Sequence, residues 1–150
     1  MGEDRVVGVR DKTIYLAWVV ALTATLGSLY FSEIRGFIPC ELCWYQRILM
    51  YPLSIILGIA AFYSETSIKK YVLPLSIFGA CVSLFHYLEQ KVPGFAEIKP
   101  CTNGVPCNVQ YINWFGFITI PFLALVAFIL ITILMVLTRS ETGVSPKSGN

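Results

Sequence analysis

Four long apolar runs, each bounded by short polar or charged stretches, organise the chain: residues 14–31, 44–63, 71–88 and 114–137. Charges gather between the runs instead of alternating with them, as they do along a helix that keeps one face in water. Each run matches the roughly 17 to 25 helical residues that cross a hydrocarbon core of about 30 Å. A bilayer interior offers no water to backbone N–H and C=O groups, so a crossing segment must satisfy them itself. Four spans are too few, and too apolar throughout, for a β-barrel of alternating strands. The pattern predicts an all-α membrane protein, a four-helix transmembrane bundle.

The chain then divides into a charged leader over 1–13, a four-helix domain over 14–137 and a polar tail over 138–150. The leader and tail are expected to be mobile. Arg5, Arg10 and Lys12 before the first run resemble the start of a signal peptide, but the run is long for one and no small-residue cleavage site stands out, so it reads as a retained anchor. The tight connection over 64–70 makes the second and third helices antiparallel neighbours. Two longer segments, 32–43 and 89–113, remain at the opposite end, and Tyr30, Phe31, Trp44, Tyr45, Tyr87, Tyr111 and Trp114 gather at that boundary as interfacial aromatics do.

Composition adds that nothing is left over for a soluble domain, since 56% of the residues are hydrophobic and 13% charged. A net charge of +2 gives no argument for nucleic acid. Basic residues set orientation: Arg5, Arg10, Lys12, Lys69, Lys70, Arg139 and Lys147 lie on one side, against Arg35, Lys91 and Lys99 on the other. Both termini are therefore expected in the cytoplasm, with 32–43 and 89–113 outside.

That topology puts four of the five cysteines outside, Cys40 and Cys43 in one segment and Cys101 and Cys107 in the other, where disulfides persist. Cys40 and Cys43 form a CxxC at the head of the second helix, directly after Pro39. Unpaired N–H groups and the positive end of the helix dipole stabilise a thiolate there. Arg47 follows at helical spacing on the same face, and a charge at the edge of a span calls for a functional explanation. A structural staple is the competing reading. It explains little: closing a seven-residue loop such as 101–107 stabilises by only roughly 2 kcal/mol, and the CxxC by less.

Cys101 and Cys107 flank Asn103-Gly104, a turn signal, and Pro106. A short, exposed disulfide in such a loop is open to attack by a thiolate, although two nearby cysteines taken alone more often form a staple. With the CxxC they read as a relay. Cys81, mid-span among Ala80, Val82 and Leu84, reads as a small packing residue. His86 stands near the depth of the CxxC, and position alone leaves packing and proton handling equally open. Glu89, three residues on, is a candidate partner for it.

The order of PCELCWYQR opening the second span, HYLEQ closing the third and a cysteine pair before the fourth resembles the DsbB family of disulfide-formation membrane proteins. The segment CTNGVPCNVQYINWFGF is most similar to the BdbC-like members of Gram-positive bacteria. The resemblance implies a thiol:quinone oxidoreductase of the bacterial cell membrane that reoxidises an extracytoplasmic thioredoxin-fold partner of the DsbA or BdbD type. It implies that Cys101 and Cys107 form the disulfide attacked by that partner, that Cys40 and Cys43 pass the electrons on, and that Cys43, Arg47 and His86 adjoin the quinone. The quinone implied is menaquinone, with ubiquinone as the alternative, and no metal is implied. Two departures stand out: the second pair encloses only five residues, which bears on partner docking, and Gln46 stands where many members carry Glu.

Two other classes compete. A vitamin K epoxide reductase-like enzyme also couples cysteine pairs to a quinone, but there the CxxC follows the loop pair, and here it comes first. A non-catalytic tetraspan protein holding zinc on Cys40, Cys43, Cys101 and Cys107 matches in ligand number, whereas an oxidising face favours disulfides.

Overall fold

The computed structural model describes residues 2–63, 67–92, 94, 105–107 and 109–138. Four helices carry the chain: α1 (Gly2–Leu29), α2 (Glu41–Tyr63), α3 (Lys69–Lys91) and α4 (Ile120–Leu137), with a π-helical turn, Tyr30–Ile34, continuing α1. Each packs on the next and α4 returns to α1, so the helices close a ring in chain order. No strand occurs among the described residues. The stretches Asp11–Ile34, Glu41–Tyr63, Lys69–Lys91 and Ile120–Leu137 are long and apolar enough to cross a membrane.

The second helix begins at Glu41 and the third runs over Lys69–Lys91, each two or three residues beyond the sequence reading, and three further boundaries differ for identifiable reasons. The leader expected to be mobile is helical from Gly2, because no proline interrupts 2–29 and its charged residues are mostly good helix formers. The first helix also outruns residue 31 through the π turn. It stops where Gly36 adopts φ 68°, and the Phe37 N–H reaches back 3.0 Å to the Phe31 carbonyl, a glycine-terminated helix end. The fourth helix begins at Ile120 and not at 114, because residues 114–118 form a tight turn. Phe115 and Gly116 have φ 54° and 81° there, and the Ile118 N–H bonds the Trp114 carbonyl at 2.9 Å. Thr119 is extended and Pro121 sits in the first turn of α4, where a missing N–H costs nothing.

The core lies toward the end opposite the CxxC. Ile14, Ala17 and Ala21 of α1 meet Leu53 and Leu57 of α2 and Phe128, Ile131 and Met135 of α4. Small residues on α3 let α4 approach closely: a Cβ on Gly79 would overlap the Phe128 ring, and Ser76 accepts a 3.0 Å bond from the Thr132 hydroxyl. Lys69 ties the same end together by donating to the Thr138 carbonyl at 2.7 Å. Large apolar side chains such as Ile55, Ile59, Phe78 and Val136 point outward, as lipid contact requires. With the core displaced to one end, the other end has room for a site.

Candidate functional site

Pro39 ends the extended approach to α2 and leaves Cys40 at the helix cap, its carbonyl accepting the Trp44 N–H at 3.1 Å. Cys43 then falls one turn on, and the two sulfurs lie 2.9 Å apart. Cys40 is buried, with 6% of its surface exposed. Its thiol pKa is lowered to about 4, first by the hydrogen bond from Cys43 and, against the penalty of burial, by the hydrogen bond from His86. Cys40, Cys43 and Cys81 are free thiols, and Cys107 is disulfide-bonded. Cys101 lies outside the described residues.

His86 reaches this site from α3. Its imidazole is buried, 1% exposed, with Nε2 3.6 Å from Cys40 Sγ and 3.2 Å from the Cys107 carbonyl oxygen. The Gln46 amide donates to Nδ1 at 3.0 Å. An Nδ1 that accepts leaves the proton on Nε2, so the imidazole offers its N–H to Cys40 and to the Cys107 carbonyl. Gln90, one turn along the same face of α3, donates to the Cys107 carbonyl at 3.3 Å and to the Val109 carbonyl at 3.2 Å. Two side chains of one helix thus hold the Cys107 segment against the CxxC.

Arg47 turns the other way. Its Nε donates to Ser28 Oγ at 2.9 Å and Nη2 to the Ser28 carbonyl at 3.0 Å, and the guanidinium lies over Trp44, 5.6 Å from the ring centroid. It lines, with Cys43, an apolar cavity of about 480 Å³ between α1, α2 and α4. Phe31 and Tyr111 stack on either face of Phe37, at centroid distances of 6.1 and 4.8 Å, and all three rings border the cavity. Val19, Leu123 and Leu130 line it and are themselves exposed, so the cavity is not sealed inside the bundle. Size and lining suit a small planar apolar ligand with one polar edge.

A second, much smaller cavity of about 20 Å³ lies among Cys40, Cys43, His86, Gln90 and Pro106. Cys43 borders both cavities, and Cys40 and His86 border only the small one. Of the residues singled out from sequence, Cys40, Cys43, His86 and Cys107 are brought together, and Arg47 shares the large cavity with Cys43. His86, expected beside the quinone, faces Cys40 and the Cys107 carbonyl and does not border the large cavity. No hydrogen bond joins Glu89 to it, and Glu89 Oε2 is buried without a hydrogen-bond partner, but the two groups lie close enough to interact electrostatically. Cys81, expected to pack inside, is exposed on the outer face of α3. The zinc reading loses a ligand, since a disulfide-bonded Cys107 offers no thiolate.

Gln46, Gln90 and Ser28 were missed. Spacing held a signal for the first two, since Gln46 follows Cys43 by three positions and Gln90 follows His86 by four. Ser28 carried none, because it meets Arg47 only across a helix interface.

Comparison with known proteins agrees with this architecture. The profile of the family described as "Disulfide bond formation protein DsbB" matches residues 10–138. "Disulfide bond formation protein C" of Bacillus subtilis (strain 168) is 73% identical over 128 residues, covering 85% of this chain and 93% of that protein. "Probable disulfide formation protein C 1" of Bacillus anthracis is 52% identical over 83% of this chain and 89% of its own length. "Probable disulfide formation protein" of Coxiella burnetii (strain CbuK_Q154) is 45% identical over 85% and 88%. No solved structure gives a significant match. A profile match over most of a four-span chain decides the matter: the chain belongs to the DsbB family of disulfide bond formation proteins, and its role is the generation of disulfides at a membrane.

Proposed function

We propose that this protein is a thiol:quinone oxidoreductase that reoxidises an extracytoplasmic thioredoxin-fold dithiol protein of the DsbA or BdbD type, with both of its termini in the cytoplasm. The observation that supports this reading best is the position of Cys43, the cysteine that lines both the Cys40–His86 cavity and the large apolar cavity.

A thiolate of the partner attacks the Cys101–Cys107 disulfide, and the partner's second thiol resolves the mixed disulfide, leaving the partner oxidised and Cys101 and Cys107 as thiols. That pair reduces the oxidised CxxC by the same exchange, two electrons passing with the disulfide bond. Cys40 is the sulfur on the Cys107 side, and its depressed pKa makes it a good leaving group when the Cys40–Cys43 bond is attacked. His86 stabilises the Cys40 thiolate by its Nε2–H, and its contact with the Cys107 carbonyl holds the two pairs in register.

The large cavity fits a quinone headgroup, menaquinone by family resemblance, which accepts two electrons and two protons from the CxxC dithiol. Cys43 lines that space. Arg47, pinned by Ser28, places fixed positive charge where negative charge develops, without reorganising during reaction. Phe37 and its stacked neighbours exclude water on one side.

Anaerobic mixing of the purified protein with a reduced thioredoxin-fold dithiol protein and a menaquinone analogue tests the reading. One quinol should form per partner disulfide. Partner oxidation that proceeds at the same rate without any quinone would overturn it.

A further inference from the structure

We propose that the reduced CxxC and His86 together bind one thiophilic d¹⁰ cation of the zinc or cadmium type, and that this cation holds the protein in its reduced form. Cys40 Sγ, Cys43 Sγ and a His86 ring nitrogen all lie within 4.8 Å of one another. A tetrahedral ion bonded at about 2.3 Å to sulfur and about 2.0 Å to nitrogen sets those two atoms roughly 3.5 Å apart. Cys40 Sγ and His86 Nε2 are 3.6 Å apart. The two sulfurs, 2.9 Å apart, need to open to roughly 3.8 Å, which a rotation of the half-buried Cys43 side chain supplies.

Space is present as well. The cavity of about 20 Å³ among these side chains holds about one water-sized occupant, enough for the ion or for a water in its fourth position. Gln46 completes the arrangement. A ligating Nε2 must give up its proton, so Nδ1 carries one, and a half-turn of the Gln46 amide brings its oxygen to accept it at the distance now spanned by the nitrogen. Two thiolates, a neutral imidazole and a divalent cation sum to zero charge, as a buried site requires.

The site exists only while the CxxC is reduced, because a disulfide has no thiolate to offer. Metal capture and disulfide relay therefore exclude each other, and an external thiophilic cation acts as a brake on the reduced protein. The binding itself needs neither quinone nor partner, so its failure leaves the redox reading standing.

Cadmium titration of the full-length Cys101→Ser/Cys107→Ser protein in detergent, reduced and freed of reductant, tests this through the thiolate-to-cadmium absorption in the ultraviolet. One equivalent should bind, zinc should displace it, and prior oxidation of the CxxC should abolish it. Cys40→Ser in that background should abolish the band, and His86→Ala should weaken binding at least tenfold. Cobalt(II) added to the protein with His86 intact should give the intense visible bands of tetrahedral coordination, a readout independent of how His86→Ala folds. Cadmium affinity unchanged in folded His86→Ala, a stoichiometry indifferent to the oxidation state of the CxxC, or octahedral cobalt spectra would each overturn the proposal.

Discussion

Arg47 gives two hydrogen bonds to a single residue of the neighbouring helix, Nε to the Ser28 hydroxyl at 2.9 Å and Nη2 to the Ser28 carbonyl at 3.0 Å. The guanidinium is held at the wall of the large cavity by α1, a helix that contributes no cysteine. Lysine keeps the charge but not the fork. Arg47→Ala should slow quinone reduction by roughly a hundredfold, Arg47→Lys by less, with exchange between the partner and Cys107 nearly unchanged. Ser28→Ala leaves the carbonyl bond in place and should cost about tenfold, or about 1.4 kcal/mol. Stopped-flow quinone reduction checks all three; equal rates in wild type and folded Arg47→Ala would remove Arg47 from the site.

The cysteines should divide by task. Cys43→Ser should abolish quinone reduction, and Cys101→Ser should block electrons arriving from a protein dithiol while leaving exchange between the CxxC and quinone intact. Cys81→Ser should keep near-wild-type turnover, because that side chain faces outward from α3. Turnover with a protein dithiol, compared with single-turnover reoxidation of the prereduced CxxC, separates these steps. An inactive but folded Cys81→Ser would upset the division.

Acidity at Cys40 has a thermodynamic consequence. Its pKa is lowered from 9.0 to about 4, so between those values the folded dithiol binds one proton fewer than an unperturbed pair. The midpoint potential of the CxxC should therefore fall by about 30 mV per pH unit above about pH 5, against about 60 mV for two ordinary thiols. The linked stabilisation of the reduced protein is present above the unfolded pKa and is lost as pH falls through about 4. Potentials measured against a glutathione series from pH 5 to 8 decide this. A slope near 60 mV would mean that Cys40 is an ordinary thiol.

Packing of α3 on α4 depends on a missing side chain. Gly79→Ala introduces a Cβ into the space of the Phe128 ring and should destabilise the bundle by about 1–3 kcal/mol. Gly27→Ala, where nothing lies within 4 Å, serves as the control and should be neutral or slightly stabilising. Thermal unfolding in detergent reads the difference; equal midpoints would show that the interface yields without cost.

The proposed orientation follows from seven basic residues on one side of the membrane against three on the other. In intact, reduced cells a membrane-impermeant maleimide should label Cys101 or Cys107 without lysis. Labelling that requires lysis would reverse the topology and with it the proposed direction of electron supply.

The number of helices, their membrane character and the CxxC at the head of the second one were legible in the sequence, because each depends on local information. Hydropathy is summed over a window, and Pro39 and the Cys40–Cys43 spacing fix a helix start and a shared face within one turn. Hydropathy was blind to the turn at 114–118, since Trp114, Phe115 and Phe117 are as apolar as the helix that follows. Gly116 and Pro121 held that information. The rotation of each helix about its axis was decided by the tertiary structure. A span apolar all round carries no moment to say which face turns inward, so Cys81 could be read as packed when it faces out, and His86 could be placed beside either cavity. Interhelical polar pairs settle those rotations: Gln46 with His86 across α2 and α3, Arg47 with Ser28 across α2 and α1. In a medium without water each such pair is formed or costs the desolvation of both groups, and its partner lies 40 or 19 positions away, beyond the reach of any local pattern.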